Sequence, residues 1–279
     1  MPTTEPPSSV ARRSRPSAAA ALRCDNDAVN ASLAIPVALA AALRAARFVA
    51  VLTGAGVSAE SGVPTFRDAQ QGLWAQFDPL ELATPSGFAR NPRRVWDWYA
   101  MRREMVGRVA PNPGHFALAA LERRVPEFLL ATQNVDGLHQ RAGSARVVEL
   151  HGNITRVRCS REGTVIARWD AGDGAAPPRC PQCGAFLRPD VVWFEELLPP
   201  DALAAAESAA RRCDVLIVAG TSAEVYPAAA LPDAALSRGA RVVEVNPSET
   251  PLSAHADDVL RGPAGAVLPA LVAAAFPAR

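Results

Sequence analysis

The sequence predicts an α/β protein with a doubly wound, parallel, Rossmann-like sheet and a smaller lobe made from two insertions. Short apolar runs rich in β-branched residues recur along the chain, and helix-like stretches separate several of them. Such runs are typical of strands buried on both faces, and their alternation with helices indicates a parallel sheet. Polar or glycine-rich segments directly follow five of the runs, as expected where strand ends form a ligand crevice.

The predicted elements follow one another in a simple order. A helix is predicted first, over "PVALAAALRAARF", because proline is favoured in the first turn of a helix. The predicted strands are 48–53, 127–132, 146–150, 190–194, 214–220 and 241–246. The later predicted helices are 93–108, 114–124, 201–212, 226–238 and 264–275.

Two segments interrupt the alternation and are predicted to form the smaller lobe. Residues 64–110 are predicted to be a helical insertion, and residues 154–189, with three of the five cysteines, a zinc-ribbon-like insertion. The larger lobe is predicted to comprise 31–63, 111–153 and 190–279. Residues 1–30 are rich in proline, serine, alanine and arginine and are predicted to be a disordered tail, with a targeting segment as the alternative.

Composition argues against several classes of function. The formal net charge of +1 gives no reason to expect binding to nucleic acid or to an anionic membrane surface. No apolar stretch reaches the length of a membrane span, and five cysteines are too few for a secreted disulfide framework, so we expect a cytoplasmic protein. All 29 basic residues are arginine, so no lysine can form a Schiff base or clamp a phosphate. The oligomeric state is left open.

A glycine-rich turn follows the first predicted strand. Gly54, Gly56 and Ala59 match the pattern G-x-G-x-x-A, which lets backbone N–H groups approach a pyrophosphate at the start of a helix. A turn without any ligand is the alternative for this motif alone. A dehydrogenase would next need a second strand ending in an acidic residue about 20 positions later. No strand-like run appears before residue 127, which argues against hydride transfer.

Polar residues follow two further predicted strands. Gln133, Asn134 and Asp136 come after the second strand, where they can orient a cofactor ring or a water, or simply cap the next helix. His151 follows the third strand, and histidine is the commonest general base near neutral pH. The other histidines lie in a predicted helix start, a helix and a polar loop, at positions 115, 139 and 255.

The cysteines indicate part of a zinc site. Cys180 and Cys183 form the C-x-x-C pair "CPQC", which is half of a zinc knuckle. The second pair is incomplete, because Cys159 stands alone and Glu162 takes the place of its partner. Zinc held by three thiolates with Glu162 or water, and a knuckle that has lost its metal, are both left open. Cys213 borders a buried strand and is expected to be inert.

Together these motifs resemble the sirtuin family of NAD-dependent protein deacylases. The signatures are "GAGVSAESGVPTFR", "TQNVDGLH", "HGN", "CPQC", "VVWFEE", "GTS" and "VNPSE", in that order and at family-like spacing from about Ala38 to the C-terminus. The resemblance explains why "VPTFRD" follows the glycines at once. In that family this segment is a cofactor-binding loop that covers the nicotinamide ribose.

The resemblance implies an NAD site assembled from the loops after the strands. The implied NAD-binding residues are Gly54, Ala55, Gly56, Ser58, Glu60, Thr65, Phe66, Arg67, Gln133, Asn134, Val135, Asp136, Gly220, Thr221, Ser222, Asn246, Pro247, Ser248 and Ala264. The implied catalytic residues are His151, Asn134 and Asp136. The implied zinc ligands are the incomplete set Cys159, Cys180 and Cys183.

The resemblance also implies a reaction and a substrate. An acyl-lysine protein substrate would pair with the chain near Val191 and Val192, and its acyl group would pass to ADP-ribose with release of nicotinamide and lysine. His151 would take a proton from a ribose hydroxyl. Tyr99 and Arg102 form the Y-x-x-R pair of sirtuins that remove succinyl and malonyl groups, and their i,i+3 spacing puts both on one helix face. Protein mono-ADP-ribosyl transfer at the same NAD site is the alternative.

Overall fold

One compact unit, Ile35–Arg279, carries the elements described below. The computed structural model describes residues 34–64, 78–166, 169 and 177–277. The predicted disordered tail, 1–30, lies outside the described residues, as do Thr65, Phe66 and Arg67 of the predicted cofactor loop.

Helices and strands alternate through this unit. The helices are α1 (Val37–Ala45), α2 (Pro79–Leu82), α3 (Pro85–Arg90), α4 (Pro92–Arg108), α5 (Pro113–Glu122), α6 (Leu138–Arg141), α7 (Pro200–Arg212), α8 (Leu231–Leu236) and α9 (Ala264–Ala275). The strands are β1 (Phe48–Thr53), β2 (Glu127–Thr132), β3 (Val147–Glu149), β4 (Gly152–Cys159), β5 (Val165–Ile166), β6 (Leu187–Val191), β7 (Val215–Ala219), β8 (Arg241–Asn246) and β9 (Asp258–Arg261). Short 3-10 helices lie at Ala55–Ser61, Ala228–Ala230 and Pro251–Ala254.

Six strands form one sheet in the order β3-β2-β1-β7-β8-β9. Every neighbouring pair in it is parallel, which confirms the predicted doubly wound fold. The strand order reverses between β1 and β7, because the chain moves outward to β3 on one side and to β9 on the other. Ligands of such sheets bind at this switch point, outside the carboxyl ends of the strands.

The core of the sheet explains the continuous apolar runs. Strands β1 and β7 are buried along their whole lengths. Phe48, Ala50 and Leu52 lie in one cluster with buried alanines of α7, whose small side chains let the helix approach the strands closely. Side chains alternate along a strand, so Val49 and Val51 face the other side of the sheet.

A separate antiparallel sheet, in the order β5-β4-β6, carries the cysteines. The prediction that residues 190–194 form a strand of the parallel sheet was wrong, because β6 ends at Val191 and pairs with β4. A continuous apolar run reports burial, but it does not reveal the partner strand. Strands β4, β5 and β9 were not predicted. In β4 the polar Arg156 and Arg158 interrupt the apolar pattern.

The described helices are short. The longest, α4, has 17 residues, and several of them are charged. Among the described helices, none combines the length and apolar character that crossing a membrane would require.

Candidate active site

The glycines after β1 touch the loop after β7. The Gly56 N–H donates to the Gly220 carbonyl at 2.8 Å, and the Gly54 N–H donates to the Ala219 carbonyl at 3.1 Å. A Cβ on Gly56 would lie 2.8 Å from Gly220 Cα, and one on Gly220, whose φ is +61°, would lie 2.3 Å from Val57 N. Neither position has room for a side chain. The glycines therefore bring the two loops together at the switch point.

Ser58 is the centre of a buried hydrogen-bond cluster. Its Oγ donates to Asp136 Oδ2 at 2.8 Å and accepts from Asn134 Nδ2 at 3.2 Å. His115 Nε2 lies 3.3 Å from the same oxygen, and His115 Nδ1 accepts the Asn112 N–H. The ring proton is therefore on Nε2, which donates to Ser58. Because the Ser58 hydroxyl oxygen accepts two hydrogen bonds, its own hydrogen is directed to the Asp136 carboxylate, which accepts it.

A second buried imidazole lies beside this cluster. The His115 and His139 ring centroids are 4.8 Å apart, and His139 Nε2 is 3.0 Å from Thr53 Oγ1. Thr53 donates its own proton to Thr132, so His139 Nε2 must donate to Thr53. Burial lowers the pKa of His115 to about 4, although the Asp136 charge opposes this. Burial and the neighbouring His115 lower the pKa of His139 to about 3, so both rings are neutral at pH 7.

His151 keeps one ring nitrogen available. It lies in the turn between β3 and β4 and is half-buried. Its Nδ1 is 2.9 Å from the Gln133 carbonyl oxygen, which can only accept, so Nδ1 carries the proton and Nε2 keeps its lone pair. Burial lowers the pKa of His151 below its ordinary value of 6.5, and the bond to Gln133 opposes part of this shift. The result is a neutral imidazole of the kind that a general base requires.

Hydrogen bonds join the loops that the sequence predicted to converge. Gln133, which holds His151, also donates from Nε2 to Thr221 Oγ1 at 3.0 Å. The Thr221 carbonyl in turn accepts from Asn246 Nδ2 at 2.8 Å. The loop after β2 is bonded to the first loop through Asp136 and Ser58. All five loops therefore form one connected network at the strand ends.

The remaining predicted NAD-binding residues lie on the same loops. Ala55 begins the first 3-10 helix, Val135 lies between Asn134 and Asp136, and Ser222, Pro247 and Ser248 follow β7 and β8. Ala264 is the first residue of α9, and the next N–H, that of Gly265, donates to Glu60 Oε2 at 2.6 Å. Glu60 therefore binds the N-terminus of α9 with its carboxylate, where the helix dipole favours negative charge.

Tyr99 and Arg102 lie close together on α4, as their spacing predicted. The buried Tyr99 hydroxyl accepts from Trp193 Nε1 at 2.9 Å. The Arg102 guanidinium carbon is 5.8 Å from the Tyr99 ring centroid and 4.8 Å from that of Trp98. Burial raises the pKa of Tyr99 and lowers that of Arg102, and the Tyr99 and Asp136 charges oppose the shift of Arg102. The Tyr99–Trp193 bond connects α4 to the segment that follows β6.

Arg103, the next residue, is directed elsewhere. Its Nε donates to the Ile154 carbonyl at 2.8 Å. Its guanidinium carbon lies 5.3 Å from the Trp96 ring centroid and 5.2 Å from that of Trp169. Both tryptophans pack against the hydrophobic cluster that includes the cysteines. Arg103 therefore connects α4 to the antiparallel sheet rather than to the candidate active site.

The end of β6 lies beside His151. The Val192 N–H donates to the His151 carbonyl at 2.9 Å, and Val191 pairs with Gly152 of β4. The Val191 carbonyl accepts from Arg188 Nη2 at 2.7 Å. These backbone groups are already bonded within the fold, so an added peptide would have to pair with other groups of this segment.

Three thiols lie together beside the antiparallel sheet, one at the end of β4 and two in the segment before β6. The Sγ atoms of Cys159, Cys180 and Cys183 all lie within 4.8 Å of one another. Zinc–sulfur bonds of about 2.3 Å put tetrahedral ligand sulfurs about 3.8 Å apart, so the spacing fits zinc. The Glu162 N–H donates to Cys159 Sγ at 3.4 Å, but its side chain is exposed, and within the described residues the group contains no carboxylate. Cys213 is buried, which raises its pKa to about 11, so its thiol stays protonated, as expected of an inert cysteine.

Sequence reasoning missed residues that build the site. The sequence assigns His115 only to a helix start and gives Asn112 no role, and the two residues form the N-terminal capping box of α5. Asn112 Nδ2 also donates to the Val57 carbonyl at 2.7 Å, while His115 reaches Ser58. The motif "NPGH" carries the capping signal, although not the contact with Ser58. Nothing in the sequence indicates that Trp193 bonds to Tyr99, 94 positions away.

Comparison with known proteins agrees with this geometry. Residues 54–227 match the Sir2 family. The chain is similar to the NAD-dependent protein deacylase of Ralstonia nicotianae, with 54% identity over 244 residues, 86% of this chain and 97% of that protein. A crystal structure of a Sir2 homolog–NAD complex has a TM-score of 0.81 and 48% identity, covering 86% of this chain and 94% of that chain. A Sir2–p53 peptide–NAD+ structure has a TM-score of 0.71 and 34% identity, covering 81% and 92%. The chain belongs to the Sir2 family, the sirtuins.

Proposed function

We propose that this protein is an NAD-dependent protein-lysine deacylase that removes acetyl groups and the acidic succinyl and malonyl groups. The observation that carries the proposal is the neutral His151 imidazole, whose Nε2 keeps its lone pair beside the switch point of the sheet. The name of the Ralstonia nicotianae relative and the NAD in the solved Sir2 homolog complex support it.

The crevice fits a dinucleotide. NAD, when bound, would supply a ribose whose bond to nicotinamide is broken and whose hydroxyls receive the acyl group, while one water is consumed and the lysine amine is released. The first N–H groups of a helix have no acceptor within it, and the 3-10 helix Ala55–Ser61 begins at the switch point. Ala55 and Ser58 with Gly54 and Gly56 would hold the pyrophosphate, and Thr221 with Ser222 would assist them. Asn246, Pro247 and Ser248 would bind the adenosine ribose, Ala264 would neighbour the adenine, and Glu60 and Val135 would border the site.

His151 would act as the general base. Its Nε2 would take the proton from a ribose hydroxyl while Nδ1–H stays bonded to the Gln133 carbonyl, which stabilises the imidazolium as it forms. The lowered pKa keeps the ring neutral and ready to accept a proton at pH 7. Gln133 would also contact the ribose. Proton transfer of this kind contributes about two to four powers of ten in rate.

Asn134 and Asp136 would hold the nicotinamide end. Both carboxylate oxygens of Asp136 are oriented, Oδ1 by the Leu138 N–H at 2.9 Å and Oδ2 by Ser58. Asn134 is held by its Nδ2 bond to Ser58 and by its N–H, which donates to Thr132 Oγ1 at 3.0 Å. Polar groups that are already held in place need not reorganise when the cofactor binds. They can therefore hold it in the strained position from which it reacts.

Tyr99 and Arg102 would select acidic acyl groups. Arg102 would bind the acyl carboxylate with two hydrogen bonds, and Tyr99 would donate its hydroxyl proton, since Trp193 Nε1 uses only a lone pair of that oxygen. The position of Arg102 beside the Tyr99 ring on α4 supports this role. Acetyl-lysine carries no such carboxylate and would still enter the same pocket.

Cys159, Cys180 and Cys183 would hold a structural zinc ion. Their spacing fits three thiolate ligands and leaves one tetrahedral position to a further donor. Such an ion contributes folding free energy to the sheet around it, and it takes no part in the proposed chemistry.

The test is a set of peptides that carry acetyl-, malonyl- or succinyl-lysine, incubated with and without NAD. We expect each peptide to lose its acyl mass only when NAD is present. If a protein acceptor instead gains the mass of one ADP-ribose, the activity is mono-ADP-ribosyl transfer at the same NAD site and not deacylation.

The acyl preference is tested with Arg102→Met. We expect kcat/KM for succinyl-lysine to fall by roughly thirtyfold or more relative to acetyl-lysine, because the acyl carboxylate loses its cation. Arg108→Met is the matched control, since Arg108 is exposed on the same helix and pairs with Glu104. Equal losses on both acyl groups would exclude Arg102 as the carboxylate ligand.

A further inference from the structure

Two exposed loops flank the imidazole of the proposed base. The 193–197 loop follows Val192, whose N–H donates to the His151 carbonyl. The 222–226 loop follows Thr221, which Gln133 links to His151 by hydrogen bonds of 3.0 and 2.9 Å. A lysine side chain that reaches His151 from solvent would therefore leave the neighbouring residues of its own chain between these two loops.

Exposed apolar side chains are concentrated in the two loops. Of the nine large apolar side chains exposed within the described residues, four lie here: Phe194, Leu197, Val225 and Tyr226. Leu197 is 94% exposed and Tyr226 is 73% exposed, so the fold itself gains little from either side chain. Exposed apolar groups concentrated in this way, two in each of two loops that are bonded to the same histidine, indicate a surface that binds another protein segment.

The charge of the two loops has one sign. Glu195 and Glu224 are exposed, and no ion pair within the described residues uses either carboxylate. Residues 189–210 and 213–237 contain no basic residue, although the chain has 29 arginines in 279 residues. Arg188, just before the first stretch, is already bound by the Glu196 carboxylate.

The 193–197 loop has a preformed backbone. The Glu196 N–H donates to the Trp193 carbonyl at 3.2 Å, and the Glu196 carboxylate accepts the Trp193 N–H at 2.8 Å. Glu195 is the third residue of this turn, with a φ of +70°, where glycine is ordinarily favoured. Glycine at this position would suit the backbone and remove the charged side chain, which makes it a useful variant.

We infer that the two loops select substrate segments that carry a basic residue close to the acylated lysine, with a bulky apolar residue beside it. This inference rests on the proposed deacylase function, because acyl-lysine at His151 is what brings a segment between the loops. A lysine or arginine of the segment meets Glu195 or Glu224, and an apolar residue covers Leu197 and Tyr226. Complementary charge adds specificity and rate of association to the binding that the apolar contacts provide.

The test uses three acetyl-lysine peptides that share one leucine and differ only in flanking residues, which are arginine, alanine or aspartate. For the unmodified enzyme we expect kcat/KM to be about tenfold higher with arginine flanks than with aspartate flanks, and the ratio to shrink in high salt. In the double variant Glu195→Gln, Glu224→Gln we expect a ratio of about two. Glu195→Gly is expected to act like Glu195→Gln, and Glu207→Gln is the control, since Glu207 is exposed on α7 and pairs with Arg211.

Leu197→Ala and Tyr226→Ala test the apolar part. We expect KM to rise about fivefold for all three peptides with kcat unchanged, because both side chains are exposed in the free protein and contact only the bound segment. An unchanged KM in both variants would overturn this part. If sedimentation shows that the enzyme self-associates through these two residues, the occupant is a second copy of the chain, and the inference is overturned as well.

The results separate this inference from the proposed function. Equal kcat/KM for the three flanks would overturn the inference and leave the deacylase standing. If no peptide loses its acetyl group with NAD, the proposed function fails. Calorimetric titration of the same peptides without NAD then measures whether the two loops select the flanking residues. Tighter binding of the arginine-flanked peptide that depends on Glu195 and Glu224 supports the inference, and equal binding of all three peptides overturns it.

Discussion

The crevice at the switch point and the antiparallel sheet β5-β4-β6 with its three cysteines, the cysteine sheet, differ in how completely their polar groups are bonded within the fold. In the crevice the Ser58 hydroxyl has three hydrogen bonds, and the His115 and His139 rings each bond a buried hydroxyl through Nε2. The cysteine group instead offers three thiols, with the exposed Glu162 where a fourth ligand was expected. The crevice is thus organised by contacts within the fold, whereas we expect the cysteine sheet to depend on an ion. Substitutions should alter rates in the first region and stability in the second.

The largest expected effect is on the rate. His151→Ala should lower kcat/KM by about a hundredfold to ten-thousandfold, because the proposed general base is lost, while the unfolding midpoint stays within a few degrees. Steady-state kinetics and thermal unfolding measure the two quantities. His255→Ala is the control, since that imidazole lies exposed in a loop. Near-normal deacylation by His151→Ala would show that His151 is not the general base. The contrast between the two regions would then not hold.

A smaller and opposite pattern is expected for Cys180→Ala. Loss of one of three thiolates should release the metal and cost several kcal/mol of unfolding free energy, because metal binding at a structural zinc site contributes folding free energy. Metal analysis and denaturant titration provide the measurement, with Cys213→Ala as the buried-cysteine control. Zinc-free wild-type protein that is as stable as the metal-loaded form would show that the cysteine sheet, too, is complete without an ion.

Acid should destabilise the crevice through its neutral imidazoles. The pKa values of His115 and His139 are about 4 and about 3 in the folded protein, against an ordinary value of 6.5. The unfolded chain binds protons first, so stability is full above pH 6.5 and falls as the pH drops toward the folded values. Each ring contributes up to about 1.4 kcal/mol per pH unit, or about 2 to 4 kcal/mol in total from pH 7 to pH 5.

Denaturant titration at pH 7 and pH 5 measures this loss in chelator-treated protein, which separates it from metal release. In His139→Asn the dependence on pH should be weaker, whatever the variant does to stability at pH 7. An unchanged slope would mean that His139 is protonated to the same extent in the folded and unfolded protein.

The smallest expected effect concerns the missing fourth ligand. Glu162→Cys should tighten zinc binding about tenfold, which corresponds to about 1.4 kcal/mol, because the Glu162 N–H already approaches Cys159 Sγ in the way that a zinc knuckle requires. Competition with a coloured chelator measures the affinity. Glu162→Gln should leave it unchanged, and a loss of zinc in that variant would instead identify the carboxylate as a ligand.

The crevice was more predictable from the sequence than the cysteine sheet. Strands β1, β2 and β8 begin and end at the predicted residues, because each contains a short run of mainly apolar residues and is followed by a polar loop. The loop residues at their ends then follow from the parallel topology. Strand β6 was assigned to the wrong sheet, since its apolar run reports burial and not pairing. The bonds from His115 to Ser58 and from Trp193 to Tyr99 join distant positions and depend on tertiary packing.

Arginine supplies the cation in all eleven ion pairs found among the described residues. A guanidinium stays protonated and is a poor nucleophile, so metabolic acyl donors leave it unmodified. With no lysine anywhere in its chain, the enzyme offers no side-chain amine that could carry the mark it removes. Its own surface charge would stay constant while the acylation of surrounding proteins rises and falls.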